Sequence, residues 1–313
     1  MNKNPDSQTY IAFASTVIIG GANFIAVSFS NQELPPFFGA ALRFGLATLL
    51  FFLLARLMNV PLARGRSAVG AAAYGLLSFG VAYALIYYAL VGLTAGTTAV
   101  IMATVPLFTL LIAVLFRQER LSTRGVIGGI LVIAGIAILS LGTLGGDLNY
   151  VYLIAAILGA VAAAASSVVA RGLRHVHPIN MNAIGMAAGT LLLTFSSLLA
   201  GEHWALPRET QTWLAVSWLV LLGSVGLFQL FLYLIKRLTA SATVYALAGM
   251  PVIAVVLGAV MLNQPITLEV VAGGALVITA VYIGALSGMK GAPHAPQPET
   301  QERATGSAEP GDN

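Results

Sequence analysis

Ten runs along this chain are almost wholly apolar, at roughly 9–28, 36–55, 68–90, 96–116, 125–142, 151–170, 179–200, 212–235, 241–262 and 268–289. Each is about as long as the ~20 helical residues needed to cross a hydrocarbon core about 30 Å thick. The short breaks between them carry turn and cap residues: Pro35-Pro36, Pro61, Gly65, Gly145-Gly146, Pro178, Pro207 and Pro265. A spanning strand needs only about 9–11 residues and alternates apolar with polar positions, which these runs do not. Backbone groups in lipid must be paired within the segment, so helices remain. The pattern predicts an all-α integral membrane protein with ten transmembrane helices.

Composition sharpens this. Of 313 residues 58% are apolar and 8% charged, against about 25% charged in a soluble domain, which excludes an ordinary soluble enzyme. There are no cysteines, so disulfides, thiolate catalysis, zinc-thiolate and iron–sulfur sites are excluded. The net charge of +4 is a topology signal rather than a nucleic-acid surface. With a cytoplasmic N-terminus, thirteen of the fifteen basic residues fall on the cytoplasmic side, Arg208 alone falls opposite, and Arg43 lies inside a span. Lys and Arg accumulate in short cytoplasmic loops, so both termini are expected in the cytoplasm, with the bacterial inner membrane as the setting.

The first apolar run is longer than the 7–15 residues of a signal-peptide core and lacks a well-placed cleavage site, so it reads as the first span. Residues 290–313 carry Pro, Gly and charge without an aliphatic cluster and are expected to be a disordered cytoplasmic tail. The expected organisation is a tail at 1–8, five helices over 9–142, five over 150–289, and the second tail.

Those halves repeat. Sliding the chain by 145 residues aligns YALVGLTAGTTAV at 88–100 with YLIKRLTASATVY at 233–245, matching Tyr88 to Tyr233 and Thr98 to Thr243. The register then carries Pro106 onto Pro251 and Gly128-Gly129 onto Gly273-Gly274. A repeat of five spans is odd, so the second copy enters the membrane upside down, the architecture of alternating-access transporters.

The stretch ALIYYALVGLTAGTTAVIMATVPLFTLLIAVLFRQERLSTRGVIGGILVIAGIAIL resembles the EamA-like half of the drug/metabolite transporter superfamily, and VYALAGMPVIAVVLGAVMLNQPITLEVVAGGALVI is similar at the matching place in the second half. The LRF of the second span resembles the family's Arg there. The resemblance covers all ten spans and implies a ten-helix carrier, commonly an exporter of amino acids or other small metabolites. Two positions depart from the pattern: the Glu present as Glu119 has Gln264 as its mate, and the Trp common in the first span is absent from IIGGANFIAVSF.

Candidate site residues follow from the repeat and from polarity in lipid. Pro106 and Pro251 each remove an N–H near mid-span and free a carbonyl one turn earlier, at Met102 and Leu247; paired interruptions point to a transporter's site, and a packing kink is the alternative. Tyr88 and Tyr233 are repeat mates with Gln229 one turn from Tyr233, Tyr83 and Tyr87 make a second pair, and Tyr245 closes the aligned segment. Aromatic faces with hydrogen-bonding tips suit an amphipathic solute, while tyrosines near helix ends also form the interfacial belt. Asn23 beside Gly20-Gly21, and Ser166-Ser167, fit helix packing as well as solute contact. Arg43, the one charge well inside a span, is a candidate for an anionic group, with snorkelling or structural pairing as alternatives. The GxxxG spacings at Gly185 to Gly189 and Gly284 to Gly288 are weak signals in a chain with 33 glycines.

His175-Val176-His177 sits in a loop without a third ligand, so no metal is expected there. No phosphate-binding loop or HExxH is present, and no cofactor is expected. An intramembrane enzyme would need paired catalytic groups at mid-membrane, and only Arg43 is available; a receptor or scaffold would not require the repeat. The sequence therefore implies a secondary transporter of a small solute, most simply an exporter, with an importer or facilitator of another solute as the alternative. All eleven acidic residues lie in tails, loops or helix ends, so facilitated diffusion or exchange without an obligatory buried proton site is expected.

Overall fold

The computed structural model describes residues 7–117, 123–141, 150–173, 175–237 and 240–288, with side chains described there except at 140–141, 231–232, 235–237, 240–248 and 284–288. Glu119, Asp147, both tails and the Tyr245 side chain lie outside the described residues. Among those described, all regular structure is helical. In chain order the helices are α1 Ser7–Ser30, α2 Pro36–Leu57, α3 Arg66–Gly75, α4 Tyr83–Gly92, α5 Ala95–Met102, α6 Val105–Leu115, α7 Thr123–Leu141, α8 Tyr150–Arg171, α9 Pro178–Leu199, α10 Thr210–Val220, α11 Leu227–Arg237, α12 Ala240–Leu262 and α13 Leu268–Gly288.

Two π-helical stretches join these pieces into longer rods. The stretch π1, Leu76–Ala82, links α3 to α4, and π2, Leu221–Gly226, links α10 to α11. Among the described residues seven helical segments are long and apolar enough to cross a membrane, the rod Arg66–Gly92 among them, and three shorter apolar helices accompany them. Large apolar side chains stand exposed along the outer faces, including Leu53, Leu115, Ile133, Leu191 and Val260. In water such a surface would associate, whereas lipid tails match it.

Span four illustrates how sequence sets local structure. Pro106, the second residue of α6, has no N–H to give to the turn before it, and the ladder breaks at Ala103-Thr104. Thr104 rescues part of the break by donating its N–H and its hydroxyl to the Ile101 carbonyl, at 3.0 and 2.6 Å. The mate Pro251 behaves differently: α12 runs through it without interruption. The paired interruption expected from the two prolines is thus present in one helix only.

Packing brings distant parts of the chain together. The helix α2 lies along α9, α7 along α13, and α1 along α12, while α3 and π1 cross α9. At that last crossing a Cβ on Gly75 would overlap the Gly185 backbone, so the Gly185–Gly189 pair marks a real close approach. The buried interior is strongly aromatic, with Phe44, Phe51, Phe79 and Tyr87 excluded from solvent. Phe79 is the hub, its ring within 5.3 to 6.4 Å of those of Phe44, Tyr74, Phe228 and Tyr83.

Candidate functional site

Inside the bundle lies a cavity of about 620 Å³. Its wall draws on α1, α2, α3, α4, both π stretches, the α5–α6 break, α8, α9, α11 and α12. Most of it is apolar, with Phe24, Met102, Met181, Phe228 and Met250 prominent, and a few polar side chains converge on it. That is the usual make-up of a small-molecule site, a hydrophobic lining with sparse orienting groups.

The polar centre is built by π2. Side-chain donors from this stretch and from other helices meet carbonyls at residues 219 and 223. Ser224 donates its hydroxyl to Leu219 O at 2.9 Å, and the Gly223 carbonyl accepts from two side chains of other helices. Asn23 Nδ2 of α1 reaches it at 3.3 Å, and Arg43 Nη2 of α2 at 3.1 Å. A second bond, Arg43 Nε to Ser224 Oγ at 3.1 Å, fixes the guanidinium plane. A Cβ on Gly223 would collide with the Asn23 carboxamide, so only glycine permits this approach.

Arg43 is 1% exposed and does not snorkel to a surface. Its guanidinium carbon sits 4.9 Å from the Phe44 ring centroid and 5.1 Å from that of Tyr83, both favourable cation–π distances. No carboxylate neutralises it: among the described residues the single acidic residue inside a helix is Glu269, in the first turn of α13. The Arg43 guanidinium lies against the buried Tyr87 hydroxyl, while Asn23 Oδ1 and Asn182 Oδ1 have no hydrogen-bond partner among the described residues.

The expected residues therefore divide. Asn23, Arg43 and Tyr83 line the cavity, as do Ser166 and Ser167, whose hydroxyls turn back to Ala163 O at 2.8 and 3.0 Å. Tyr87 is buried behind the wall, and its carbonyl accepts from Asn31 Nδ2 at 2.8 Å. Tyr88 packs between Phe37 and Tyr152, with centroids 6.3 and 5.1 Å away. Gln229 is exposed, Tyr233 is half-buried, and neither reaches the wall; Pro106 and Pro251 flank it through Val105 and Met250.

The grouping of Gln229, Tyr88 and Tyr233 around the cavity is thus corrected. On α11 it is Phe228, the 145-residue mate of Tyr83, that lines the cavity, whereas Gln229, about 100° further round the helix, is exposed. Tyr74, Ser78, Asn182 and Phe228 were not singled out in the sequence. The offset of 145 pairs Tyr83 with Phe228 and Ser78 with Gly223, a signal available once Tyr83 is placed.

A second depression of about 530 Å³ lies between the α2–α3 and α8–α9 connections and includes Arg64, His175 and His177. His175 Nε2 pairs with Ser67 Oγ at 3.0 Å, and His177 Nδ1 accepts from the Ile179 N–H at 3.3 Å as the N-cap of α9. Both histidines thus have structural work. Gln264 does too: its Oε1 accepts from the Ala95 N–H at 3.1 Å, capping the start of α5. A neutral acceptor suffices there.

Residues 8–141 and again 151–285 match the EamA-like transporter family. The chain belongs to this family. Among EamA-like relatives, the chain is 33% identical over 283 residues to "Uncharacterized inner membrane transporter YedA" of Escherichia coli (strain K12), covering 87% of this chain and 89% of that one. It is 26% identical over 287 residues to an "Uncharacterized transporter" of Archaeoglobus fulgidus, covering 88% and 97%. A solved structure described only as "Crystal structure of protein" superposes with a TM-score of 0.64 at 20% identity, covering 91% of this chain and 99% of that one, a likeness of fold.

Proposed function

We propose that this EamA-like protein is a secondary transporter that carries small organic metabolites through the central cavity by alternating access. The observation that carries the reading is the cavity's wall, to which helices of both matched halves contribute, with Asn23 and Arg43 from the first meeting the Gly223 carbonyl from the second. A site between two halves changes exposure when they rock against each other.

Ten spans in two inverted five-helix halves, with both termini cytoplasmic, is the architecture we assign. The two π stretches support it by beginning 145 residues apart, at Leu76 and Leu221, the offset of the sequence repeat. The packing supports it too, since α1 on α12 in one direction has its counterpart in α8 on α5 and α6 in the other. Amino acids and related metabolites are the solutes the resemblance implies, and export is the direction. The relative's name is consistent with an inner-membrane location.

Liposomes holding the purified protein test this reading. Preloading with a panel of amino acids, nucleosides and amphipathic drugs should give protein-dependent counterflow of at least one at equal pH on both sides. No flux of any of them would remove the transporter assignment.

A further inference from the structure

A helix start leaves N–H groups without an intrahelical partner and carries the positive end of the helix dipole. At one end of the bundle two such starts receive a carboxylate from the connection that faces them. Glu202 accepts from the Phe37 and Phe38 N–H groups of α2, and Glu33 from those of Arg208 and Glu209 just before α10. The repeat predicts the same exchange at the opposite end, between α9 and α3. Both α2 and α9 start on a proline, Pro36 and Pro178, and Thr48-Leu49-Leu50 has its mate in Thr190-Leu191-Leu192. That register sets Glu33 on His175. Residues 58–65 and 172–177, which connect α2 to α3 and α8 to α9, contain no acidic residue. The start of α9 has the neutral acceptor Nδ1 of His177 on the Ile179 N–H, and the start of α3, at Gly65, has no side-chain cap.

Between those two starts lies the depression of about 530 Å³, a volume in the range of ligand sites. Its wall holds Arg64, His175 and His177 and, among the described residues, no carboxylate. An anion there would take the place that Glu33 and Glu202 fill at the other end, one that oriented N–H groups and the dipole favour. Asn180, on the same wall, adds a second requirement. It is 3% exposed, its Nδ2 donates to the Pro61 carbonyl, and its Oδ1 has no hydrogen-bond partner among the described residues. The bond to Pro61 needs the amide nitrogen, so the atom left over is an acceptor, costly to bury until a donor meets it. A bare anion does not serve that atom; a hydroxyl carried by the anion does. Leu57, Met58, Leu62 and Val69, in the residues flanking the depression, are apolar and exposed, a fringe suited to acyl chains.

We propose that this depression is a headgroup site for an anionic phospholipid of the phosphatidylglycerol kind, with its phosphodiester between Arg64 and the starts of α3 and α9 and a glycerol hydroxyl on Asn180 Oδ1. Basic pockets at helix ends take such headgroups. The two connections belong to different matched halves, 8–141 and 151–285, so a bound headgroup ties the halves at this end as the two glutamates tie them at the other. A choline headgroup brings a positive charge towards Arg64 and no hydrogen-bond donor. A phosphodiester that ends in a methyl group keeps the charge and leaves Asn180 unserved.

Native mass spectrometry of the purified full-length protein in detergent, titrated with short-chain lipids, makes the test. The probes are phosphatidylglycerol, phosphatidylmethanol, phosphatidylcholine and the deacylated headgroup glycerophosphoglycerol. Phosphatidylglycerol should bind about tenfold tighter than phosphatidylmethanol, the worth of one hydrogen bond to a buried acceptor, and phosphatidylcholine more weakly than either. Asn180→Ala should remove the preference over phosphatidylmethanol. Should that variant not fold, His177→Asp carries the test, because it supplies α9 with a carboxylate cap of its own. It should lower phosphatidylglycerol affinity about tenfold while raising the melting temperature of the lipid-free protein. Equal binding of phosphatidylglycerol and phosphatidylmethanol to wild type, or wild-type phosphatidylglycerol affinity in a folded His177→Asp variant, would overturn the proposal. Glycerophosphoglycerol binding as tightly as the lipid would overturn its assignment to lipid in favour of a soluble phosphate ester. The readout is binding and not flux, so its failure leaves the transporter reading standing.

Discussion

Gly223 concentrates several constraints in one residue. Its carbonyl serves two helices and its missing side chain makes room for Asn23. Gly223→Ala should therefore push Asn23 and Arg43 apart, lowering stability by about 1–3 kcal/mol, the usual cost of overpacking a tight site. Gly129→Ala is the control, because nothing lies within 4 Å of a Cβ there; it should keep or raise the melting temperature, alanine being the better helix former. Thermal melting in detergent compares the two. Gln229 provides the opposite case. It is exposed on a bundle whose outer surface is apolar, so Gln229→Leu should transport as wild type in counterflow, with equal or better folded yield. Arg43 was legible in the sequence as a lone charge in a span, and Asn23 as a polar residue at mid-depth. Gln229 was misplaced because its polarity and its position one turn from Tyr233 were read as facing inward, whereas α11 presents Phe228 to the cavity.

At the level of elements, hydrophobic run length identified helices, seven of them among the described residues long and apolar enough to cross a membrane. The π stretches left no such trace, since their composition is that of the α-helix around them and only the hydrogen-bond ladder differs. The prolines show the same limit: identical chemistry at Pro106 and Pro251 gives a broken helix in one case and a continuous one in the other. What differs is the surroundings, because tertiary packing decides whether the chain turns at the lost bond or bends around it. Pro106→Ala would restore an N–H at the break between α5 and α6. We expect the two helices to fuse in part and the Met102–Val105 wall of the cavity to shift. Folded yield should hold, while counterflow falls several-fold. Equal flux in wild type and Pro106→Ala would show that the break is incidental to solute passage.

Across the whole molecule, two carboxylates tie the loops at the end opposite the histidines. Glu202 accepts from the Phe37 and Phe38 N–H groups at the start of α2, at 3.1 and 2.8 Å. Glu33 accepts from those of Arg208 and Glu209 just before α10, at 3.1 and 3.0 Å. The Thr212 hydroxyl first, and these backbone donors with the Arg208 charge after it, hold the Glu33 carboxyl below its ordinary value. A group with a lowered folded pKa stabilises the fold above its unfolded pKa and loses that contribution as pH falls through the lowered one. Wild type should thus melt above Glu33→Gln at neutral pH, and the two curves should converge as the medium is acidified below the usual carboxylate range. Curves that stay parallel would show that Glu33 does no such work. The absence of native cysteine also makes orientation directly checkable: Arg208→Cys should react with an impermeant thiol reagent outside intact cells, and Arg64→Cys should not.

Arg43 also has a consequence for energetics. In the proposed transport cycle the unloaded carrier returns with the positive charge of Arg43, which a monoanionic solute would cancel on the loaded passage and a zwitterionic or neutral one would not. A unit charge crossing the full field is worth about 2.3 kcal/mol per 100 mV, and Arg43 senses a fraction of it. In that cycle a negative interior would favour the unloaded carrier facing the cytoplasm, so net transport of an anionic solute would draw on the membrane voltage. Net exit of an anionic solute from liposomes clamped inside-negative with potassium and valinomycin should run faster than at zero potential. One-for-one exchange, in which the carrier never returns unloaded, should not respond to the voltage at all.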